Sequence, residues 1–183
     1  MRSMLIATSL WAAAAITSLA SASSCSECNF VLNRDSQKRS AKNYIDMWNG
    51  DLGLEHETFT PGVVLHQDRL PGTNGSVDLA VRSSADFVKF MRLARSGWHH
   101  YGFVVHATAL DLYSIVIRWA LNATVGPRDK MLIPVAKPEG THITYNGTDW
   151  LHLDECTGKI KQVDSAQDYI TALHEQGVAT LKI

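Results

Sequence analysis

The stretch 144–177 constrains the fold of this 183-residue chain most strongly, because it reads as strand, turn, strand and helix. Residues 145–153 alternate β-forming and polar side chains, a turn ending in glycine follows, and residues 159–164 resume extension before a helix begins. Asp149 and Asp168 bracket this hairpin. If the sheet curls over a cavity, both carboxylates can face one space, which suits general acid/base catalysis.

Two or three early helices followed by a series of long strands predict an α+β fold. We expect the sheet to curl over a helix. Helical spacing and capping residues, with Asp35 or Ser36 as the first cap, predict helices at 36–49, 54–59, 84–97 and 166–176. Strands are predicted at 63–68, 98–110, 112–125, 141–153 and 159–163.

Composition narrows the class of protein. Apolar residues make up 45% of the chain and charged residues 19%, which is typical of a globular domain. The formal net charge is −1, and basic residues are not concentrated in any one stretch. A nucleic-acid partner is therefore not expected.

The first 22 residues have the features of a secretory signal. Arg2 supplies the positive start, residues 4–19 form an apolar run, and residues 20–22 are a small-residue cleavage site. Residues 23–34 are expected to form an N-terminal arm and residues 35–183 a single domain. We expect a chain in the secretory pathway that is finally extracellular. The alternative is a lumenal protein anchored by an uncleaved signal, and membrane contact is expected only in that case.

The N-glycosylation sequons and the cysteines also indicate the secretory pathway. A disulfide is expected in an oxidising compartment, with one thiol left over, and the sequence leaves the pairing open. Zinc binding by the Cys25–Cys28 pair is not favoured because no second pair follows it. The glycosylation candidates are Asn74, Asn122 and Asn146, and the three cysteines are Cys25, Cys28 and Cys156.

Asp149 and Asp168 are the main catalytic candidates. An Asp149 side chain that points into an apolar cavity has a raised pKa, which favours acid/base chemistry. The alternative for Asp149 is a solvent-facing position on the strand. The alternative for Asp168 is an ordinary helix cap.

Three further side chains are candidates on strands. His66 and Asp68 share one face of a predicted strand, where one can orient the other, although both can equally belong to a polar outer face. Arg118 lies in an apolar run, where a buried guanidinium needs a carboxylate such as Asp149 or Asp168, either as a structural ion pair or beside a substrate oxygen. No His pair has zinc-site spacing, so no metal is expected.

The run 147–168, GTDWLHLDECTGKIKQVDSAQD, resembles the C-terminal signature of the SnoaL-like polyketide cyclases. Residues 44–52 resemble the end of that family's first helix and residues 117–119 its central strand, so the similarity spans about 42–177. The chain differs from the family at Gln162 and Asp164, where Glu and Trp are usual. The resemblance implies the cone fold of the nuclear-transport-factor-like superfamily, in which a curved mixed or antiparallel sheet wraps around the N-terminal helices and forms a cone-shaped cavity. It also places the family's principal acid/base aspartate at Asp168.

The resemblance also implies a function. It predicts a cofactor-free enzyme of secondary metabolism that acts on a hydrophobic polyketide or terpenoid by cyclisation, isomerisation, dehydration or epoxide opening. A non-catalytic carrier of a small apolar ligand is the alternative, because one fold hosts both classes. A homodimer formed through the sheet is also compatible. Aromatic residues expected either in the core or against the substrate are Tyr44, Trp48, Tyr101, Trp119 and Trp150.

Overall fold

The computed structural model describes residues 33–68, 76–132 and 135–177, with the side chains of Asp68 and of residues 76–78 left outside that description. The expected signal segment, most of the expected N-terminal arm, Cys25, Cys28 and Asn74 therefore lie outside the described residues. Among the described residues, no helix combines the length and apolar character needed to span a bilayer.

Helix α1 is Arg34–Trp48, and it begins with a reciprocal cap. The Asn33 side chain accepts from the Ser36 N–H at 2.9 Å, and the Ser36 hydroxyl accepts from the Asn33 N–H at 3.0 Å. The sequence predicted the cap at Asp35 or Ser36, so the helix starts slightly earlier than expected. Its predicted apolar side is buried and consists of Ala41, Tyr44, Ile45 and Trp48.

Three further helices follow along the described chain. A 3₁₀ turn, Leu52–Leu54, leads into the short α2, Glu55–Thr58. Helix α3 is Ser84–Arg95, and the Ser83 hydroxyl caps it by accepting from the Asp86 N–H at 3.1 Å. Helix α4 is Tyr169–Glu175 and lies near the end of the described residues.

The described strands are β1 Phe59–Asp68, β2 Ser76–Asp78, β3 Trp98–Asp111, β4 Ser114–Val125, β5 His142–Ile143, β6 Asn146–Leu153 and β7 Ile160–Gln167. They form one mixed sheet that curls into a half-barrel. Its order is β2-β1-β7-β6-β4-β3, with the short β5 paired to β4 beside this path. The β1–β7 pair is parallel, and the other pairs are antiparallel. The predicted α+β cone architecture is confirmed.

The structure corrects the predicted strand boundaries in three places. Strand β1 starts at Phe59 rather than at residue 63, and its register with β7 shifts between Phe59 and Val64, so Pro61 lies in an irregular part of the ladder. The predicted strand 141–153 is divided at Tyr145, whose carbonyl accepts from the Leu121 N–H at 2.8 Å. Strand β7 continues to Gln167, because pairing with β1 and β6 on its two sides outweighs the local helix signal.

Alternation along the central strands separates the core from the outer face. On β4, Ile115, Ile117, Trp119 and Leu121 are almost fully buried, whereas Arg118 is exposed. Helices α1 and α3 pack against the buried face. Each large side chain buried here contributes roughly 1.5–3 kcal/mol through removal of apolar surface from water.

An aromatic stack runs from α1 to the middle of the sheet. Trp48 stacks on Phe103 with 4.9 Å between ring centroids, and Phe103 stacks on Trp119 at 4.0 Å with an interplanar angle of 3°. Gly147 lies opposite Trp119 in the ladder, and a Cβ at this position would come within 2.1 Å of the indole ring. The Trp119 ring can therefore occupy this position only because residue 147 has no side chain.

Candidate functional site

A cavity of about 300 Å³ lies between the helices and the concave face of the sheet. Aromatic and aliphatic side chains form most of its wall, with hydroxyl and amide groups between them. Its lining residues are Tyr44, Trp48, Leu65, Gln67, Leu79, Phe90, Ala94, Trp98, Tyr101, Leu132, Tyr145, Ser165, Gln167, Tyr169, Ala172, Leu173 and Gln176.

The cavity wall is polar in places but carries no formal charge among the residues that the structure describes. Burial raises the pKa of Tyr101 well above its ordinary value and the pKa of Tyr169 to about 12, so both phenols are neutral near pH 7. Gln67 donates through its side-chain amide to the hydroxyl of Tyr169. The wall therefore offers neutral hydrogen-bonding groups to an apolar ligand.

Asp149 lies on the concave side of β6, immediately behind this wall. It pairs with Ser165 of β7 and Ile117 of β4 in the sheet, and it is only 1% exposed. Its Oδ2 accepts a hydrogen bond of 2.9 Å from the hydroxyl of Tyr44. Tyr44 and Ser165 belong to the cavity wall, so they stand between the carboxyl group and the cavity.

Burial raises the pKa of Asp149 to about 6, because the protein interior disfavours the charged carboxylate. The side chains of Ser165, Tyr44 and Trp119 oppose this rise by directing polar hydrogens toward the carboxyl. Within the described residues, Oδ1 of Asp149 and Nε1 of Trp119 are buried without a hydrogen bond of regular geometry. Asp149 is therefore a protonatable group whose pKa is close to neutrality.

Tyr44 is neutral in this arrangement. Burial raises its pKa well above the ordinary value of a phenol, and the negative charge of Asp149 raises it further. Its ring is held edge-on against Phe59 and Phe87, with centroid distances of 6.3 and 6.5 Å. The phenol therefore has a fixed direction between the carboxyl group and the cavity.

The expectation that Asp149 and Asp168 share one space is wrong. Asp168 is exposed and caps α4, accepting from the Thr171 N–H at 3.0 Å and from the Thr171 hydroxyl at 2.7 Å. These bonds lower the pKa of Asp168, as does the nearby charge of Arg118. The capping alternative holds because β7 continues to Gln167 and leaves Asp168 as the first residue beyond the strand.

His66 is directed away from the cavity, which agrees with the alternative of a polar outer face. Its Nδ1 lies 2.9 Å from Oδ1 of Asp164, and Nε2 of His152 lies 2.6 Å from Oδ2 of the same carboxylate. Burial alone raises the pKa of Asp164, but bonds from Gln162, His152 and His66 outweigh it and lower the pKa. The backbone of Asp68 ends β1, and its side chain lies outside the described residues.

Arg118 and Trp150 occupy the outer face of the sheet. Arg118 is exposed and donates to the Thr148 hydroxyl at 3.0 Å, so the prediction that its guanidinium is buried is wrong. Of the two carboxylates predicted as its partner, its charge acts on Asp168. Trp150 is 48% exposed and stacks on His152 at 5.0 Å, so it does not contact the cavity. Both positions follow from strand alternation, because Ile117 and Asp149 point inward on the same two strands.

The predicted ligand-contact residues divide into two groups. Tyr44, Trp48 and Tyr101 line the cavity, whereas Trp119 is buried behind Phe103 in the aromatic stack. Sequence reasoning missed several polar wall residues, which lie at inward positions near strand ends. Alternation along β1 and β7 would have identified them, because the inward-facing positions there are Gln67, Ser165 and Gln167.

Cys156, in the turn between β6 and β7, is disulfide-bonded, so it is not a free nucleophile. Asn122 and Asn146 are half-buried, and Oδ1 of Asn122 lies 3.0 Å from Nε2 of His142. In the described ranges, no group of three or more His, Cys, Asp or Glu side chains is arranged to hold a metal ion.

Comparison with known proteins relates the fold to solved structures. No known family profile matches the sequence, and no curated protein matches it. A Jannaschia sp. CCS1 protein assigned as a SnoaL-like polyketide cyclase is 15% identical, with a TM-score of 0.60 over 83% of this chain and 99% of its own. AclR from Streptomyces galilaeus, assigned as a hydroxylase, is 18% identical, with a TM-score of 0.61 over 82% and 87% of the two chains.

An LEH-like epoxide hydrolase from M. tuberculosis is more distant, with 9% identity and a TM-score of 0.54 over 78% of this chain and 85% of its own. At these identities the likeness concerns the fold. The same cone is found in polyketide cyclases, a hydroxylase and an epoxide hydrolase-like protein. The curled mixed sheet, the helices on its concave side and these neighbours together identify the chain as a protein of the SnoaL-like fold.

Proposed function

We propose that this protein is a cofactor-free enzyme of secondary metabolism in which Asp149 is the general acid or base for a neutral, hydrophobic small molecule. One observation carries the proposal: a carboxyl group that is 1% exposed, with a pKa of about 6, lies directly behind the wall of an aromatic cavity. Such a group is a base when ionised and an acid when protonated, and both forms are populated near neutral pH.

The arrangement favours proton transfer over epoxide opening. Opening an epoxide by general catalysis requires one group to activate water and a second acid to protonate the leaving oxygen. Asp168, the expected second acid, is exposed and engaged in capping α4. With Asp149 as the one buried carboxyl in the described part of the chain, the reactions best supported are cyclisation, isomerisation or dehydration, in which the same group removes a proton and later returns it.

The wall of the cavity supports a substrate of polyketide or terpenoid type. Trp48, Trp98 and Phe90 offer apolar surface, and neutral phenols and amides lie between them. Hydroxyl or carbonyl oxygens on the substrate would find donors there without a charged partner. An ionised substrate would lose its hydration without compensation, since no charged side chain occurs among the described wall residues.

A non-catalytic carrier is the second candidate. It is favoured by the fact that Asp149 itself is absent from the described cavity wall, with Tyr44 and Ser165 in front of it. A carrier would bind apolar ligands in the same cavity, and the carboxyl would then act only through its bond to Tyr44.

A proton-transfer probe separates the two functions. 5-Nitrobenzisoxazole is neutral and bicyclic; a base removes its C3 proton, the N–O bond breaks, and a coloured cyanophenolate forms. We expect saturable turnover that rises with pH around a midpoint of about 6. Asp149→Asn is expected to lower kcat by roughly 100-fold or more, whereas Asp168→Asn, which retains a capping side chain, is expected to match the wild type.

Equal rates in the wild type and Asp149→Asn would contradict the enzyme proposal. A wild-type rate no greater than that of acetate would contradict it as well. Saturable binding of the probe without turnover would favour the carrier.

We also propose that the chain is secreted after cleavage of residues 1–22, glycosylated at one or more of Asn74, Asn122 and Asn146, and homodimeric. The disulfide at Cys156 supports an oxidising compartment. The mass of the secreted chain before and after glycosidase treatment tests cleavage and glycosylation. Light scattering of the purified protein tests the dimer, and recovery in the membrane fraction would instead support an uncleaved anchor.

A further inference from the structure

We infer that the phenolic oxygen of Tyr44 is the atom that touches the substrate, and that it relays a proton between the substrate and Asp149. This inference rests on the proposed function and identifies a further catalytic residue within it. The SnoaL-like resemblance points to an aspartate as the acid/base, whereas the geometry points to a phenol in front of an aspartate.

The position of the two side chains is the first observation. Tyr44 is part of the described cavity wall, and Asp149 is not. The Tyr44 hydroxyl donates to Oδ2 at 2.9 Å, so this bond connects the carboxyl to the cavity, and the Ser165 side chain, also in the wall, directs a polar hydrogen toward the same carboxyl. A ligand in the cavity therefore meets Tyr44 and Ser165 before it can meet Asp149.

The packing of Tyr44 further hinders direct contact between a ligand in the cavity and the Asp149 carboxyl. The ring is confined edge-on by Phe59 on β1 and Phe87 on α3, at interplanar angles of 87° and 68°. Both partners are at most 1% exposed, so neither leaves room for the phenol to swing aside. Exposing the carboxyl to a substrate would require disruption of this packing.

The proton moves in one concerted step. As the phenolic oxygen accepts a proton from carbon or oxygen of the substrate, the hydroxyl proton of Tyr44 passes to Oδ2 of Asp149. The substrate keeps the electron pair of the broken bond, Tyr44 is neutral before and after, and Asp149 ends as the neutral acid. The reverse step returns the proton, so the cycle needs no external oxidant or reductant.

The surroundings of Tyr44 favour a concerted transfer. Burial and the charge of Asp149 hold its pKa well above the ordinary value, so a free phenolate does not accumulate. The Trp48 indole acts in the opposite direction and lowers the pKa of Tyr44, and its buried Nε1 has no other partner among the described residues. This donor can stabilise the negative charge that develops on the phenolic oxygen during transfer.

The titratable groups that face the pair are few among the described residues. Burial is the main cause of the raised pKa of Tyr44 on α1 and of Tyr101 on β3, and the charge of Asp149 raises both further. Tyr145 also raises the pKa of Tyr101, by more than Asp149 does. Arg95 faces Tyr101 and partly opposes this effect. Asp149 is therefore the group whose ionisation shapes the rate near pH 6.

The test uses Tyr44→Phe with 5-nitrobenzisoxazole, and Tyr113→Phe, an exposed tyrosine in the turn between β3 and β4, as the matched control. The relay predicts that Tyr44→Phe lowers kcat by roughly 100-fold or more, similar to Asp149→Asn, with little change in KM. Tyr113→Phe is expected to match the wild type. Melting temperatures of all variants verify that each is folded at the assay temperature.

If the substrate instead contacts the Asp149 carboxyl directly, a different result is expected. Tyr44→Phe would keep kcat within a few-fold of the wild type, and the midpoint of its pH profile would move upward, because the Tyr44 hydrogen bond lowers the pKa of Asp149. That outcome would overturn the relay and leave the proposed function intact. An unaffected Asp149→Asn variant would instead remove the proposed function itself.

A second measurement needs no variant and therefore does not depend on folding. The C3 proton of the probe does not exchange with solvent, so direct transfer to a carboxylate moves no exchangeable proton. The relay moves the exchangeable hydroxyl proton of Tyr44 in the same step. We expect kcat to fall in heavy water at the plateau of the pH profile, and an unchanged kcat there would overturn the relay.

Discussion

The phenolic oxygen of Tyr44 lies 2.9 Å from Oδ2 of Asp149, although the two residues are 105 positions apart in the chain. The bond joins the first helix to a central strand and ends at a carboxyl group that is 1% exposed. It therefore couples the packing of the core to the proton affinity of the candidate site.

The stability of the protein is expected to fall as the pH rises through the pKa of Asp149. Burial raises this pKa from 3.8 to about 6, so the folded state binds the proton more tightly than the unfolded state does. The favourable contribution is complete below the unfolded pKa and is lost as the pH approaches about 6. Relative to the wild type, Asp149→Asn should gain up to about 3 kcal/mol across this window.

Chemical denaturation of the wild type and Asp149→Asn at several pH values measures this difference. Asp168→Asn is the matched control, because its carboxylate is exposed. A difference in unfolding free energy that is constant between pH 4 and pH 7 would contradict the raised pKa of Asp149.

Gly147→Ala is expected to destabilise the fold by roughly 1–3 kcal/mol, because the added methyl meets the Trp119 ring and forces the stack to shift. Gly62→Ala, on strand β1, is the control, since a Cβ there has no neighbour within 4 Å. Thermal unfolding measures the effect, and near-ultraviolet circular dichroism reports the displaced indole. Equal melting temperatures for the two variants would contradict this role for Gly147.

Asp164→Asn is expected to cost about 1 kcal/mol at pH 7, because it weakens the bonds from His66 and His152. Those bonds outweigh burial and lower the pKa of Asp164, so its contribution is present above the ordinary value of 3.8 and is lost as the pH falls through the lowered pKa. Denaturation at pH 7 and at acidic pH measures this.

The same variant should leave turnover of 5-nitrobenzisoxazole unchanged, because Asp164, His66 and His152 lie on the opposite face of the sheet from the cavity. Loss of turnover in a folded Asp164→Asn protein would show that the outer face takes part in the chemistry.

Neutral ligands are expected to bind better than charged ligands of the same shape. The described wall has no charged side chain, so an anion would lose hydration without a partner. We expect 2-naphthol to bind at least roughly tenfold more tightly than 2-naphthoate at pH 7, a difference of about 1.4 kcal/mol. Quenching of tryptophan fluorescence measures both, and tighter binding of the naphthoate would contradict the neutral-substrate assignment.

Local patterns in the sequence were sufficient for much of the architecture. Capping residues and apolar spacing predicted α1 and α3 because these signals lie within a few residues of one another. Strand alternation left two positions open for Asp149, facing the cavity or facing solvent, and the structure has it on the concave side. The same rule, applied to Arg118 and Trp150, would have placed both side chains outside, since their neighbours Ile117 and Asp149 point inward.

The remaining features depend on pairing between distant segments. The end of β7 is set by ladders to β1 and β6, and this is why Asp168 caps α4 instead of facing the cavity. His66 contacts Asp164, its neighbour across the parallel pair of β1 and β7. The bond between Tyr44 and Asp149 likewise depends on how α1 crosses the sheet.

The most direct test of the central claim is a titration of the Asp149 carboxyl carbon by NMR, with the resonance assigned by its absence in Asp149→Asn. We expect a midpoint of about 6, well above the ordinary 3.8. A midpoint at or below the ordinary value would contradict a buried acid poised for proton transfer in the cavity.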